Sequence, residues 1–182
     1  MTTYLAFLRA INVGGNRTFL KDDIRRVVAD AGFGDVETHI NTGNVKLESR
    51  LDSRHEVREL LEGAFRDDRG FDVPTIVFPA DEFAAVADDA HELGTQELTR
   101  HYVYLLADEL TPEQVSAVEA TSNESGRMVV RGRAAHALLG AGYTAGAVDP
   151  LGAAKHLGVA TNRKPAVIDT MARKWCGWEP TL

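Results

Sequence analysis

At 182 residues the chain can form one large domain or two of roughly 90, and 44% apolar residues supply a core for either. A net charge of -7 disfavours nucleic acid and anionic lipid unless the basic residues cluster, and here they are interleaved with acids, as in KDDIRR and RHEVRELLEGAFRDDR. The single cysteine, Cys176, excludes an intrachain disulfide, and no leader or bilayer-length apolar run is present, so a cytoplasmic, membrane-free protein is expected.

In chain order, TYLAFL (3–8) is apolar and closed by a glycine loop, which predicts a buried strand. Thr18 offers an N-cap for a helix with Leu20, Ile24, Val27, Val28 and Ala31 on its apolar face, stopped by Gly32. VETHI and VKLES flank Asn41-Thr42-Gly43-Asn44, whose Gly-Asn pair signals a hairpin. Ser53 and Glu56 have capping-box spacing ahead of a helix, and VPTIVF (73–78) reads as a closing strand. This β-α-β-β-α-β order predicts a split βαβ, or ferredoxin-like, subdomain over residues 1–80.

Residues 81–182 are expected to form a second, incomplete plait-like subdomain. A helix near 81–93 precedes the strand HYVYLLA (101–107), and Thr111-Pro112-Glu113-Gln114 starts another helix. RMVVRG and AAHALLG read as strands, Asp149-Pro150 as the start of a helix ending at Gly158, and Pro165 as the start of a last helix. The fourth strand is missing from this series. The expected class is therefore α+β, with two ferredoxin-like subdomains packed together. Leu5 and Phe7 alternate with Tyr4, Ala6 and Leu8 along the first strand, so both of its faces are apolar. Helices on one side leave the other to be covered, with the second half as the expected cover, and a covered sheet cannot serve as a stacking platform for RNA.

The expected topology brings Arg9, Asn12, Gly14 and Gly15 beside Asn41, Thr42, Gly43 and Asn44 on one strand-end edge. Such an edge offers backbone N–H groups, amides and a guanidinium to an anion or a carbonyl compound. The same residues equally suit a tight turn, with glycines at positive φ, asparagines bonded to loop backbone and Arg9 paired with an acid such as Glu37. No dinucleotide-binding or Walker-type glycine spacing is present, and Asp22 and Asp23 occupy the first turn of the following helix. Thr161-Asn162-Arg163-Lys164 is a second candidate, because no acid intrudes before Asp169 and the cations add to the helix dipole. An exposed cap with two solvated cations is the alternative there.

The six histidines show no metal-ligand spacing and are expected at the surface or at strand edges; no metal site is expected. Cys176, between Trp175 and Trp178, reads as a half-buried, unreactive thiol. The nucleophile elbow of serine hydrolases is absent, and no general base can be named.

YLAFLRAINVGGNR, THINTGNVKLES and LGVATNRKPAVIDTMARKW together resemble a family of uncharacterised bacterial proteins, domain of unknown function 1697. Its members begin A-F-L-R-G-I-N-V-G-G, continue T-x-I-x-S-G-N-V and end L-G-x-x-A-T-x-R-N-W. The resemblance implies two α-β plait subdomains and no established activity. Ala10 replaces a glycine of that pattern, Thr42 a serine, and Lys164-Pro165 an Asn-Trp, so the N-terminal half keeps the pattern better.

The expected function is binding, or turnover, of a small anionic or polar metabolite, phosphorylated ones included. Arg9 would anchor charge, Asn12 and Asn44 would orient the ligand with Asn41 beside them, and Gly14 and Gly15 would donate backbone N–H groups. Arg163 would add a second cation from the other half. The rival class is a non-catalytic protein–protein or nucleic-acid interaction module, against which the acidic balance argues. The sequence specifies neither a cofactor nor an oligomeric state.

Overall fold

The computed structural model describes residues 1–95 and 97–181. Apolar on both faces, β1 (Thr2–Leu8) takes an interior place in its sheet. It pairs antiparallel with β3 (Asn44–Ser49) on one side and β4 (Thr75–Pro79) on the other, while β2 (Gly34–His39) lies outside β3. The order is β2-β3-β1-β4. Tyr4, Ala6 and Leu8 point toward α1 (Lys21–Asp30) and α2 (Arg54–Arg69), which bury Ile24, Val28, Val57, Leu61 and Phe65 in the same core. On the opposite face Leu5, Phe7, Ile76 and Phe78 are fully buried, and Phe83 of α3 (Ala80–Leu93) stacks on Phe7 with centroids 5.4 Å apart. The alternation in TYLAFL thus gives two dry faces.

The chain divides into two compact units, Met1–Phe83 and one beginning at Ala84. In the second, β5 (Arg100–Leu106) is the interior strand and α4 (Pro112–Glu119) follows it. β6 (Gly126–Arg131) and β7 (Ala134–Leu139) form a hairpin, β8 (Ala160–Arg163) is an edge strand, and α5 (Pro165–Cys176) ends the series. The order is β6-β7-β5-β8, again antiparallel throughout. The fold is α+β with two four-stranded antiparallel sheets and five α-helices among the described residues.

Local chemistry explains most boundaries. Thr111 Oγ1 accepts from the Gln114 N–H while Gln114 returns a bond to the Thr111 N–H, a complete capping box with Pro112 in the first turn. Ser53 caps α2 through the Glu56 N–H, and Gly70 ends it at φ 75°.

Three expectations are corrected. The missing fourth strand is β8, whose four residues, Ala-Thr-Asn-Arg, carry no apolar alternation because the strand lies on an edge. Those residues are therefore strand, and only Lys164 caps α5. Residues 149–158 form turns and a short 3₁₀ segment, Ala154–His156, in place of a helix; Asp149 and Gly152 sit at φ 54° and 70°, outside helical space. Finally, Leu20 and not Thr18 is the N-cap of α1, with no side-chain bond of its own.

Gly43 shows how tightly the first sheet closes. It is buried at φ 78°, and a Cβ there would lie 2.8 Å from Leu8 Cβ and 3.0 Å from the Leu8 carbonyl oxygen. Gly43→Ala is expected to destabilise the protein by at least about 2 kcal/mol, since left-handed strain and overlap with backbone add. Urea denaturation measures it; a loss within 0.5 kcal/mol, roughly the range of an ordinary surface change, would contradict the packing described.

Candidate functional site

The two bends expected to share an edge do so. Leu8 donates its N–H to the Gly43 carbonyl at 2.8 Å, and Asn12 Nδ2 donates to the Asn41 carbonyl at 3.1 Å. Val13-Gly14-Gly15-Asn16 is a two-residue turn with both glycines at positive φ, 64° and 75°. Asn12 Oδ1 accepts from the Phe19 N–H at 2.8 Å, and its Nδ2 also reaches the Phe19 carbonyl at 2.9 Å. Asn41 Oδ1 accepts from the Lys21 N–H at 3.2 Å, taking the capping role that Thr18 was expected to fill. Asn44, 1% exposed, donates to the His39 carbonyl and to Thr42 Oγ1. All three amides are thus bonded to the loops they join. Arg17 pins the bend from outside: its Nε donates to the Ala10 carbonyl and its guanidinium lies 4.5 Å from the Phe71 ring centroid. Arg9 is exposed and makes no side-chain hydrogen bond or ion pair among the described residues. Ala10, which replaces a glycine of the resembled pattern, sits at φ 58°, a strain of about 1–2 kcal/mol that glycine would not carry.

Arg163 ends β8 in the second unit, with Nη1 donating to Thr161 Oγ1 and the Asn162 carbonyl, both at 2.8 Å. Burial lowers its guanidinium to about 10, which leaves it charged at neutral pH.

The next residue leads elsewhere. Antiparallel pairing sets Arg163 opposite Val103, so Lys164 and Pro165 emerge beside the first residues of β5. There a cavity of about 550 Å³ is lined by Gly94, Arg100, His101, Lys164, Ala166 and Asp169, among others. The second half of α3 is held over it by Arg131, which donates to Asp89 and Glu92 at 3.2 and 3.0 Å, and by Trp178 Nε1, which donates to Asp88 Oδ1 at 2.7 Å. At the start of α5 the Val167 and Ile168 N–H groups return to the Lys164 carbonyl, and Pro165 has none to offer. The Ala166 N–H is left at the positive end of a helix whose first turn carries no acid. Burial raises the Asp169 carboxyl above the ordinary carboxylate range, against the pull of Arg173 and His91.

His101 and His136 were expected at the surface or at strand edges. Instead they are 8% and 0% exposed, on one face of the second sheet, with His101 Nε2 3.0 Å from His136 Nδ1. His136 stands opposite Val103 and His101 opposite Leu138, so the two are diagonal neighbours of β5 and β7. Burial lowers His101 to about 4; burial, together with His101 and Arg131, lowers His136 to about 3. Both rings are neutral at pH 7. Among the described residues no cluster of three or more His, Cys, Asp or Glu side chains could hold a metal ion, and no helix is long and apolar enough to cross a membrane.

Over residues 1–136 the sequence matches a family model described as protein of unknown function (DUF1697). The chain belongs to the DUF1697 family. Arg100, His101 and His136 fall within the matched DUF1697 span, and Lys164 and Asp169 follow it. This DUF1697 chain is similar in fold to the conserved bacterial protein SP0830 from Streptococcus pneumoniae, with a TM-score of 0.68 over 94% of this chain and 97% of that one, at 21% identity. No curated protein matches it.

The histidine pair makes stability depend on pH. Both folded values lie below the ordinary 6.5, so the unfolded chain binds more protons and stability is lost as pH falls from about 6.5 toward 4. The urea midpoint is expected to fall between pH 7 and 4.5, less steeply in His136→Leu. An unchanged slope in that variant would contradict the assignment. Asp68 and Asp72, lowered by their arginine partners, act below this window.

Proposed function

We propose that this protein binds a small anionic metabolite with a phosphate or carboxylate head, and that the head sits in the cavity between β5 and the start of α5. What carries this reading is that Arg100, Lys164 and Ala166 line one concave space at the start of a helix whose first turn has no acid. A guanidinium fork, a point cation and a helix N-terminus are complementary to an oxyanion in three different ways, and they act together here. Neither Arg100 nor Lys164 has a side-chain partner among the described residues. His101, nine-tenths buried, supplies a polar wall, and Asp169 supplies an acceptor for a ligand hydroxyl.

We also read each unit as an α-β plait. Support comes from the shared order, β2-β3-β1-β4 and β6-β7-β5-β8, with every neighbour antiparallel. In the second unit turns and a 3₁₀ segment stand where the first has α2.

The rim of the first unit is the second reading, favoured by one observation, an exposed Arg9 without a side-chain partner among the described residues, at the entry to the loop that carries Gly14 and Gly15. Thermal shift with inorganic phosphate, against chloride at equal ionic strength, separates the two. Phosphate is expected to raise the melting temperature of the parent and of Arg9→Ala. Arg100→Ala and Lys164→Ala are each expected to weaken binding by roughly tenfold or more, the size of a lost charge-assisted bond. No shift in the parent, or a shift lost only in Arg9→Ala, would overturn the cavity as the seat.

A further inference from the structure

We infer, resting on the cavity just proposed, that His136 fixes His101 in the tautomer protonated on Nδ1, so that the site takes a phosphate monoester carrying a neighbouring carbonyl oxygen. One proton lies between His101 Nε2 and His136 Nδ1, which are 3.0 Å apart. If His101 supplied it, neutral His136 would carry its own proton on Nε2. That atom is fully buried and has no hydrogen-bond partner. A buried orphan N–H is rarer in proteins than an under-satisfied acceptor. The favourable arrangement therefore has His136 Nδ1–H donating to His101 Nε2, which leaves a bare lone pair on His136 Nε2 and the proton of His101 on Nδ1.

We set that proton toward the cavity, which His101 itself lines. Gly94 is part of the cavity wall, and a Cβ placed on it would stand 4.0 Å from His101 Nδ1. Among the described residues Nδ1 has no bond of its own. Burial keeps the ring uncharged at pH 7, so it offers a hydrogen bond and no charge. The cations and the Ala166 N–H suit the phosphate; the imidazole N–H suits a neutral oxygen acceptor attached to it. An analogue lacking that oxygen leaves a poorly solvated donor unpaired, which is how buried polar groups discriminate.

Two measurements on the full chain test this. Long-range ¹H–¹⁵N NMR at pH 7 is expected to show His101 protonated at Nδ1 and His136 protonated at Nδ1. Titration with hydroxyacetone phosphate and with propyl phosphate, equal in charge and differing in the carbonyl, is expected to favour the former roughly tenfold. His136→Asn, whose Nδ2–H can still donate to His101, keeps the preference; His136→Leu loses most of it while phosphate itself still binds. A His101 protonated on Nε2, or equal affinity for the two esters in the parent, would overturn the inference while leaving the cavity reading intact. Binding of neither ester would overturn the cavity reading, and the ligand class with it.

Discussion

Antiparallel pairing of the four-residue strand β8 on β5 is the constraint from which the candidate site follows. An edge strand running against β5 must end where β5 begins. The chain enters α5 one residue after β8, with Lys164 between them, so Lys164 and the Ala166 N–H reach the neighbourhood of Arg100 and His101 without any long connection. The first unit uses the same device: Pro79 of β4 pairs opposite Tyr4, and α3 starts at the next residue. The two helix starts differ in charge, however. Asp81 and Glu82 occupy the first turn of α3, whereas the first turn of α5 has no acid and carries Lys164 at its cap. The same device thus sets two carboxylates at the positive end of one helix and a lysine at that of the other.

The rim of the first unit presents the opposite case, in which polar residues converge for structural reasons. Asn12 and Asn41 satisfy backbone groups that a tight bend and an uncapped helix would leave bare, and both Asn12 side-chain polar atoms are taken up by it. In the second unit Arg100 and Lys164 line the cavity without side-chain partners among the described residues. Neutral histidines suit that position: a dry sheet face tolerates an uncharged ring with one hydrogen bond far better than a buried cation.

Much of the fold was legible because its signals are local. Thr111 and Gln114 announce α4, Ser53 and Glu56 announce α2, and the alternation in TYLAFL specifies a strand dry on both faces. The proximity of Asn12 and Asn41 also followed from element order alone. What stayed hidden depends on tertiary pairing. Ala160–Arg163 has no strand pattern because only its neighbour β5 makes it a strand. Asp149-Pro150 and the apolar residues after it mimic a helix start, yet Gly152 lies at φ 70°. His101 and His136 are 35 positions apart, and only the β5–β7 register places them within 3.0 Å. Arg100 and Asp169 likewise look like solvated charges until strand and helix ends are brought together.

The most direct test is anomalous diffraction from crystals soaked in selenate, a dianion of phosphate's shape with a strong X-ray signature. The account predicts a peak within hydrogen-bonding reach of Arg100, Lys164 and the Ala166 N–H. A peak at Arg9 and the Gly14-Gly15 bend with none between β5 and α5 would contradict it.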